Sequence, residues 1–115
     1  MAGGNHGVKH SKLKNEVLLS LGRRPDVLIW NNPTGLFVPF GREGAPVKCG
    51  NPGQADVLAV VAPRGRLVGI ECKTGSGVQS DDQKNWQAAL ESRGGVYGVV
   101  RSVEEALALI ETAKR

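Results

Sequence analysis

Asp56, Glu71 and Lys73 are the residues of this 115-residue chain whose types and spacing could do chemistry. Asp56 opens one apolar run, Val57–Ala62, while Glu71 and Lys73 follow another, Leu67–Ile70. Both runs are rich in Val, Leu and Ile and flank Pro63-Arg64-Gly65-Arg66, so they predict two buried strands joined by a tight turn. Antiparallel pairing brings the three charges to one end of that hairpin, and alternation puts Glu71 and Lys73 on one face. A loop at Arg64-Gly65, or one spanning Pro63–Arg66, sets Asp56 opposite Lys73 and diagonal to Glu71. A three-residue loop would pair Asp56 with Cys72 and split the cluster across the sheet. Charges at the end of a buried hairpin cost desolvation unless they are paired or bind a metal. Two carboxylates beside one ammonium make a hard, oxygen-rich site suited to Mg²⁺ or Mn²⁺. Such a metal polarises a phosphoryl oxygen and generates hydroxide, and a neighbouring ammonium can hold a water or offset transition-state charge. The plain alternative is a surface salt-bridge trio.

The elements that must position this cluster lie on both sides of it. The Gly-rich start, Met1–Gly7, predicts a frayed tail over residues 1–8. His6 and His10 are four apart, but a solvated tail is the reading preferred over a metal site, because the glycines offer no helix to present His6. Ser11 predicts the cap of a helix running to Leu21, with Gly22 as its stop and Pro25 beyond. Leu13, Val17 and Leu21 form its buried stripe, Glu16 edges that stripe, and Arg23 and Arg24 follow as a basic step. Asp26–Asn32 and Gly35–Phe40 predict a hairpin around Pro33-Thr34, in which Pro39 marks an edge or bulged strand. Gly41–Gln54 reads as the longest irregular stretch, a substrate-lining segment or a connector, and carries Arg42 and Lys48.

Beyond the central hairpin, Gly75-Ser76-Gly77 predicts a flexible link. Ser80-Asp81-Asp82-Gln83 opens a helix to about Arg93 with capping-box spacing. Gln83, Trp86, Gln87 and Leu90 share its inward stripe. Gln83 is therefore either the reciprocal cap or a side chain pointing at Glu71 and Lys73, and Trp86 reads as core. Val96–Arg101 predicts a short strand, and Ser102 a second helix start, with Val103, Ala106, Leu107 and Ile110 facing inward. Val57, Val61, Val68, Ile70 and Cys72 make one face of the central hairpin apolar, and Leu58, Val60 and Leu67 the other. The expected architecture is α/β, a mixed sheet flanked by helices on both sides.

The length predicts a single domain spanning 1–115. A formal charge of +4 and a pI of about 9.4 favour polyanion partners. Aromatic residues make up 4% of the chain, which argues against a base-stacking platform for single strands. Cys49 and Cys72 lack metal-ligand spacing and read as reduced thiols. No apolar stretch has membrane-spanning length, and the start lacks the apolar core of a signal peptide, so the expectation is a soluble cytoplasmic protein.

Asp56 with Glu71-Cys72-Lys73 resembles the PD-(D/E)xK nuclease signature. The wider arrangement is similar to its virus-type replication–repair nuclease branch, VRR-NUC. The supporting pieces are Glu16 in the first helix, Gly53-Gln54-Ala55-Asp56, the strand IECKT, Gln83 after a short loop, and GVYGVVRS before the last helix. Ala55 stands where the motif has proline; that proline stiffens the strand entry and contributes no chemistry. The resemblance implies a restriction-endonuclease-like core. It also implies Asp56 and Glu71 as metal ligands helped by the Cys72 carbonyl, and Glu16 as a direct or water-mediated ligand. Lys73 would be the catalytic lysine, with Gln83 orienting it or the water.

The function implied is a Mg²⁺- or Mn²⁺-dependent DNA endonuclease acting on branched, Holliday-junction-like duplex as a homodimer, in a bacterial or phage-infected cytoplasm. Arg23, Arg24, Arg42 and Lys48 are the candidates for holding the DNA backbone, and Leu36–Phe40 is the candidate dimer contact. The runner-up is a non-catalytic DNA-binding module with the same fold. A metabolic α/β protein with a salt-bridge trio would leave Glu16 and Gln83 without a role.

Overall fold

A computed structural model describes residues 2–33, 35–38 and 44–115, with side chains at 9–33, 38 and 44–115. Its elements run α1 (Ala2–Gly22), β1 (Val27–Asn31), β2 (Gly35–Phe37), β3 (Val47–Cys49), β4 (Val57–Val61), β5 (Arg66–Cys72), α2 (Asp81–Glu91), β6 (Val96–Val100) and α3 (Val103–Ala113).

The Val- and Ile-rich runs form the centre of a four-stranded sheet ordered β1-β4-β5-β6. β1, β4 and β5 are antiparallel neighbours, and β6 returns parallel to β5 after the α2 crossover. One face packs Val57, Ala59, Val61, Val68, Ile70 and Cys72 against Leu13, Val17 and Leu21 of α1 and Ala106, Ile110 and Ala113 of α3. The opposite face packs Leu58 and Tyr97 against Trp86 and Leu90 of α2. Trp86 belongs to this smaller core, its ring centroid 6.0 Å from that of Tyr97. Gly69 makes the approach possible: a Cβ there would sit 2.7 Å from Trp86 Cζ3. The mixed α/β sheet covered on both faces is the one the sequence predicts.

Some local expectations are corrected. β1 pairs with β4, not with β2. Asn32 explains it, because its backbone N donates to Asp56 O at 2.8 Å and its Nδ2 to Ala55 O at 3.0 Å. Those bonds tie the end of β1 to the entry of β4, and Pro33, without an N–H, follows. β2 pairs instead with β3, inside the stretch expected to be irregular.

The central register also differs. Val57 pairs with Ile70 and Val61 with Arg66, so Asp56 falls opposite Glu71 and Lys73 is the diagonal neighbour. The loop is Ala62–Gly65, one residue earlier than Pro63–Arg66. Gly65 takes a φ of +69°, where its missing Cβ matters, and its N–H closes the turn on Val61 O at 3.0 Å. Arg66 is thereby already in the strand. The displacement is even, so all three charges stay on one face.

Finally, α1 starts at Ala2 instead of being capped by Ser11, and the residues expected as a frayed tail are helical. The buried stripe Leu13, Val17, Leu21 continues backwards to His10, whose ring reaches the sheet.

Candidate active site

The β4 entry and the β5 exit meet at one end of the sheet, and each backbone holds the other's carboxylate. Asp56 N donates to Glu71 Oε1 at 3.2 Å, and Cys72 N donates to Asp56 Oδ2 at 3.2 Å. A strand residue's N–H and C=O project towards the same neighbouring strand. The Cys72 carbonyl therefore faces the side on which Asp56 lies, where β4 has not yet begun.

Among the described residues Glu71 is the one buried charged side chain, with 3% of its surface exposed. Its Oε2 accepts from Gln83 Nε2 at 2.9 Å and lies 3.7 Å from Lys73 Nζ. Burial, and then the charge on Asp56, push its pKa up to about 7, while Lys73 pulls the other way. One ammonium does not compensate two facing carboxylates. The Cys72 thiol is on the opposite face among α1 and α3 side chains, and burial pushes its pKa up to about 12, so it is no nucleophile at neutral pH.

Gln83 performs both of the roles open to it. Its Oε1 accepts from Ser80 N at 2.9 Å, closing the capping box that starts α2, and its Nε2 holds Glu71. Glu16 is exposed, and none of the bonds that hold the cluster involves it. The α1 side chain at the site is His10, whose Nε2 lies 3.1 Å from Asp56 Oδ2. Sequence reading missed it because the glycines hid the helix, although His10 lies three and seven residues before Leu13 and Val17, on their stripe. Arg101 was also missed. Its guanidinium donates to Gly75 O at 3.1 Å and Gly77 O at 2.7 Å, fixing the loop that follows Lys73.

A solved structure described as a VRR_NUC domain matches 90% of this chain and 95% of its own, with a TM-score of 0.56 and 21% identity. The chain has the VRR-NUC fold. No family model matches the sequence, and no curated protein matches it. In a VRR-NUC fold assembled from D…ExK residues, the restriction-endonuclease-like core expected from the sequence is the one observed.

The donor set fits a hard divalent cation. Among the described residues no three His, Cys, Asp or Glu side chains form a ready-made cage. Mg²⁺ and its like keep several waters, however, and need only one or two carboxylates from the protein. Asp56 and Glu71 are two carboxylates that could supply these, with the Cys72 carbonyl turned to the same side.

The basic candidates separate. Arg23 and Lys48 are exposed. Arg24 is engaged with Asp26 at 2.8 Å and Glu111 at 3.1 Å, a cluster that Lys114 joins at 2.7 Å from Asp26. Arg42 lies outside the described residues, as do Pro39 and Phe40 of the candidate dimer contact; Val38 within it is exposed. No described helix is long and apolar enough to cross a membrane.

Proposed function

We propose that this chain is a Mg²⁺- or Mn²⁺-dependent DNA endonuclease that hydrolyses phosphodiester bonds. The observation that carries the reading is the convergence of Asp56, Glu71, Lys73 and Gln83 at one end of the sheet. Glu71 is buried there beside a second carboxylate with one ammonium nearby. A divalent cation, when bound, would supply Lewis acidity towards the phosphoryl oxygen and a nucleophile at neutral pH. Asp56, Glu71 and the Cys72 carbonyl would hold that cation. Lys73 offers an ammonium that can hold the attacking water or offset charge on the scissile phosphate. Gln83 keeps Glu71 in place. Arg23 and Lys48 position the phosphate backbone, and Arg42 joins them as a sequence-based candidate. Glu16, being exposed, enters the reading only as a water-mediated contact.

The finer reading is a homodimer acting on branched duplex in a bacterial or phage-infected cytoplasm. Two-fold symmetry would give paired nicks on opposing strands. The test is cleavage of linear, flapped and four-way duplex with Mg²⁺ and with Mn²⁺, by the parent and by Asp56→Asn. The expected result is cutting by the parent, highest on four-way DNA, and none by the variant. A parent that binds DNA but never cuts would establish the non-catalytic binding module instead. Normal cutting by Asp56→Asn would reduce the cluster to a salt-bridge trio.

A further inference from the structure

We infer that His10 is a positioning residue of this site, acting through Asp56 on metal affinity; the inference rests on the nuclease reading above. His10 Nε2 lies 3.1 Å from Asp56 Oδ2, the oxygen that also accepts from Cys72 N at 3.2 Å. A carboxylate only accepts, so Nε2 is the donor, and two donors from two elements converge on one oxygen. They fix the rotation of the carboxylate and leave Oδ1 as the oxygen that neither of them uses. Glu71 also has two donors, but one on each oxygen, with Asp56 N on Oε1 and Gln83 Nε2 on Oε2. The two carboxylates thus each have a backbone donor and a side-chain donor, and His10 is to Asp56 what Gln83 is to Glu71.

His10 has the support to do this. It sits one turn before Leu13 and Lys14 on the stripe that continues through Val17 and Leu21, both fully buried. The ring is itself about two-thirds buried, with 32% of its side-chain surface exposed. Outer donors of this kind set ligand orientation, and their removal typically weakens metal binding about 10–100-fold.

The experiment is a calorimetric Mn²⁺ titration of the parent, His10→Phe and His10→Gln, with thermal melts of each metal-free chain. Phenylalanine keeps a ring on the stripe and loses the donor, while glutamine places an amide N–H close to the position of Nε2. His10→Phe should bind Mn²⁺ about 10-fold more weakly, and His10→Gln should stay within about threefold of the parent. Equal affinity in all three, with a lower melt for His10→Phe, would make His10 a mere anchor of α1 and overturn the inference alone. Equal loss in both variants would also overturn it, since the hydrogen bond would not be what matters. A parent that takes up no Mn²⁺ would overturn both this inference and the nuclease reading.

Discussion

Gln83 Nε2 lies 2.9 Å from Glu71 Oε2, while the oxygen of the same amide accepts from Ser80 N at 2.9 Å. One side chain therefore couples the start of α2 to the buried carboxylate of β5. The two roles come apart in a pair of variants. Ser80→Ala removes the cap on Gln83 N and should cost about 1 kcal/mol in denaturant melts. It leaves the amide facing Glu71, so cleavage should stay within about threefold of the parent. Gln83→Ala should cost a similar amount of stability and also lower cleavage about 10-fold or more. Equal activity in the two would confine Gln83 to capping.

The metal-free chain should respond to pH through two carboxylates whose pKa shifts run in opposite directions. Glu71 is raised from 4.5 to about 7, chiefly by burial and then by Asp56, against the pull of Lys73. Folded chains bind its proton where unfolded ones have lost it. Its contribution is therefore full below about pH 4.5 and is lost as pH rises through about 7. Asp56 adjoins Glu71 and His10 adjoins Asp56, so the diagnostic is Glu71→Gln, which should flatten the melt-versus-pH curve across that window. Asp26 acts in the other direction. Hydrogen bonds from Arg24 and then Lys114 hold it well below the usual carboxylate range, so its contribution is present above its ordinary 3.8 and is lost on acidification. A flat curve between pH 5 and 8 in the parent would contradict the Glu71 assignment.

Much of this was legible in the chain. Val57–Val61 and Arg66–Cys72 are strands because β-branched runs bounded by turn residues have few other options, and even spacing kept Asp56, Glu71 and Lys73 on one face despite the register error. What stayed hidden depended on non-local contact. The pairing of β1 with β4 rests on Asn32 reaching Ala55 and Asp56, which no local pattern announces. The register turned on which residue took the left-handed conformation: Gly65 did, which closes the loop one residue early and leaves Arg66 already in the strand. His10 was discounted because Gly3, Gly4 and Gly7 argue against helix, yet its spacing to Leu13 already placed it on the inward stripe. Glu16 edges the same stripe in sequence, but in the helix it faces solvent.

The basic residues should divide by what they already touch. Lys48 is exposed on β3 and should contribute to phosphate binding without reading bases. Lys48→Ala should reduce the slope of log K against log salt on duplex DNA by about 0.9, uniformly across sequences. Arg24 is committed to Asp26 and Glu111, so Arg24→Ala should lower the melting temperature and leave that slope unchanged. A slope change with Arg24→Ala and none with Lys48→Ala would reverse the assignment.

Lys73 gives the sharpest separation of chemistry from binding. Its Nζ is 3.7 Å from Glu71 Oε2 on a side chain 19% exposed, close enough to act on the site's charge but unable to ligate a cation. Lys73→Ala should therefore abolish cleavage while Mn²⁺ affinity stays at the parent's value or tightens, because a positive neighbour of the bound ion is gone. The same change removes the group that opposes Glu71's protonation, so its carboxyl should titrate higher still in the metal-free chain. Asp56→Asn supplies the contrast, losing cleavage together with Mn²⁺ affinity. Cleavage, Mn²⁺ calorimetry and a pH series of melts on the parent and both variants read all of this out. Retained cleavage in Lys73→Ala would remove the lysine from the chemistry, and loss of Mn²⁺ binding would show that it holds the cluster's geometry instead.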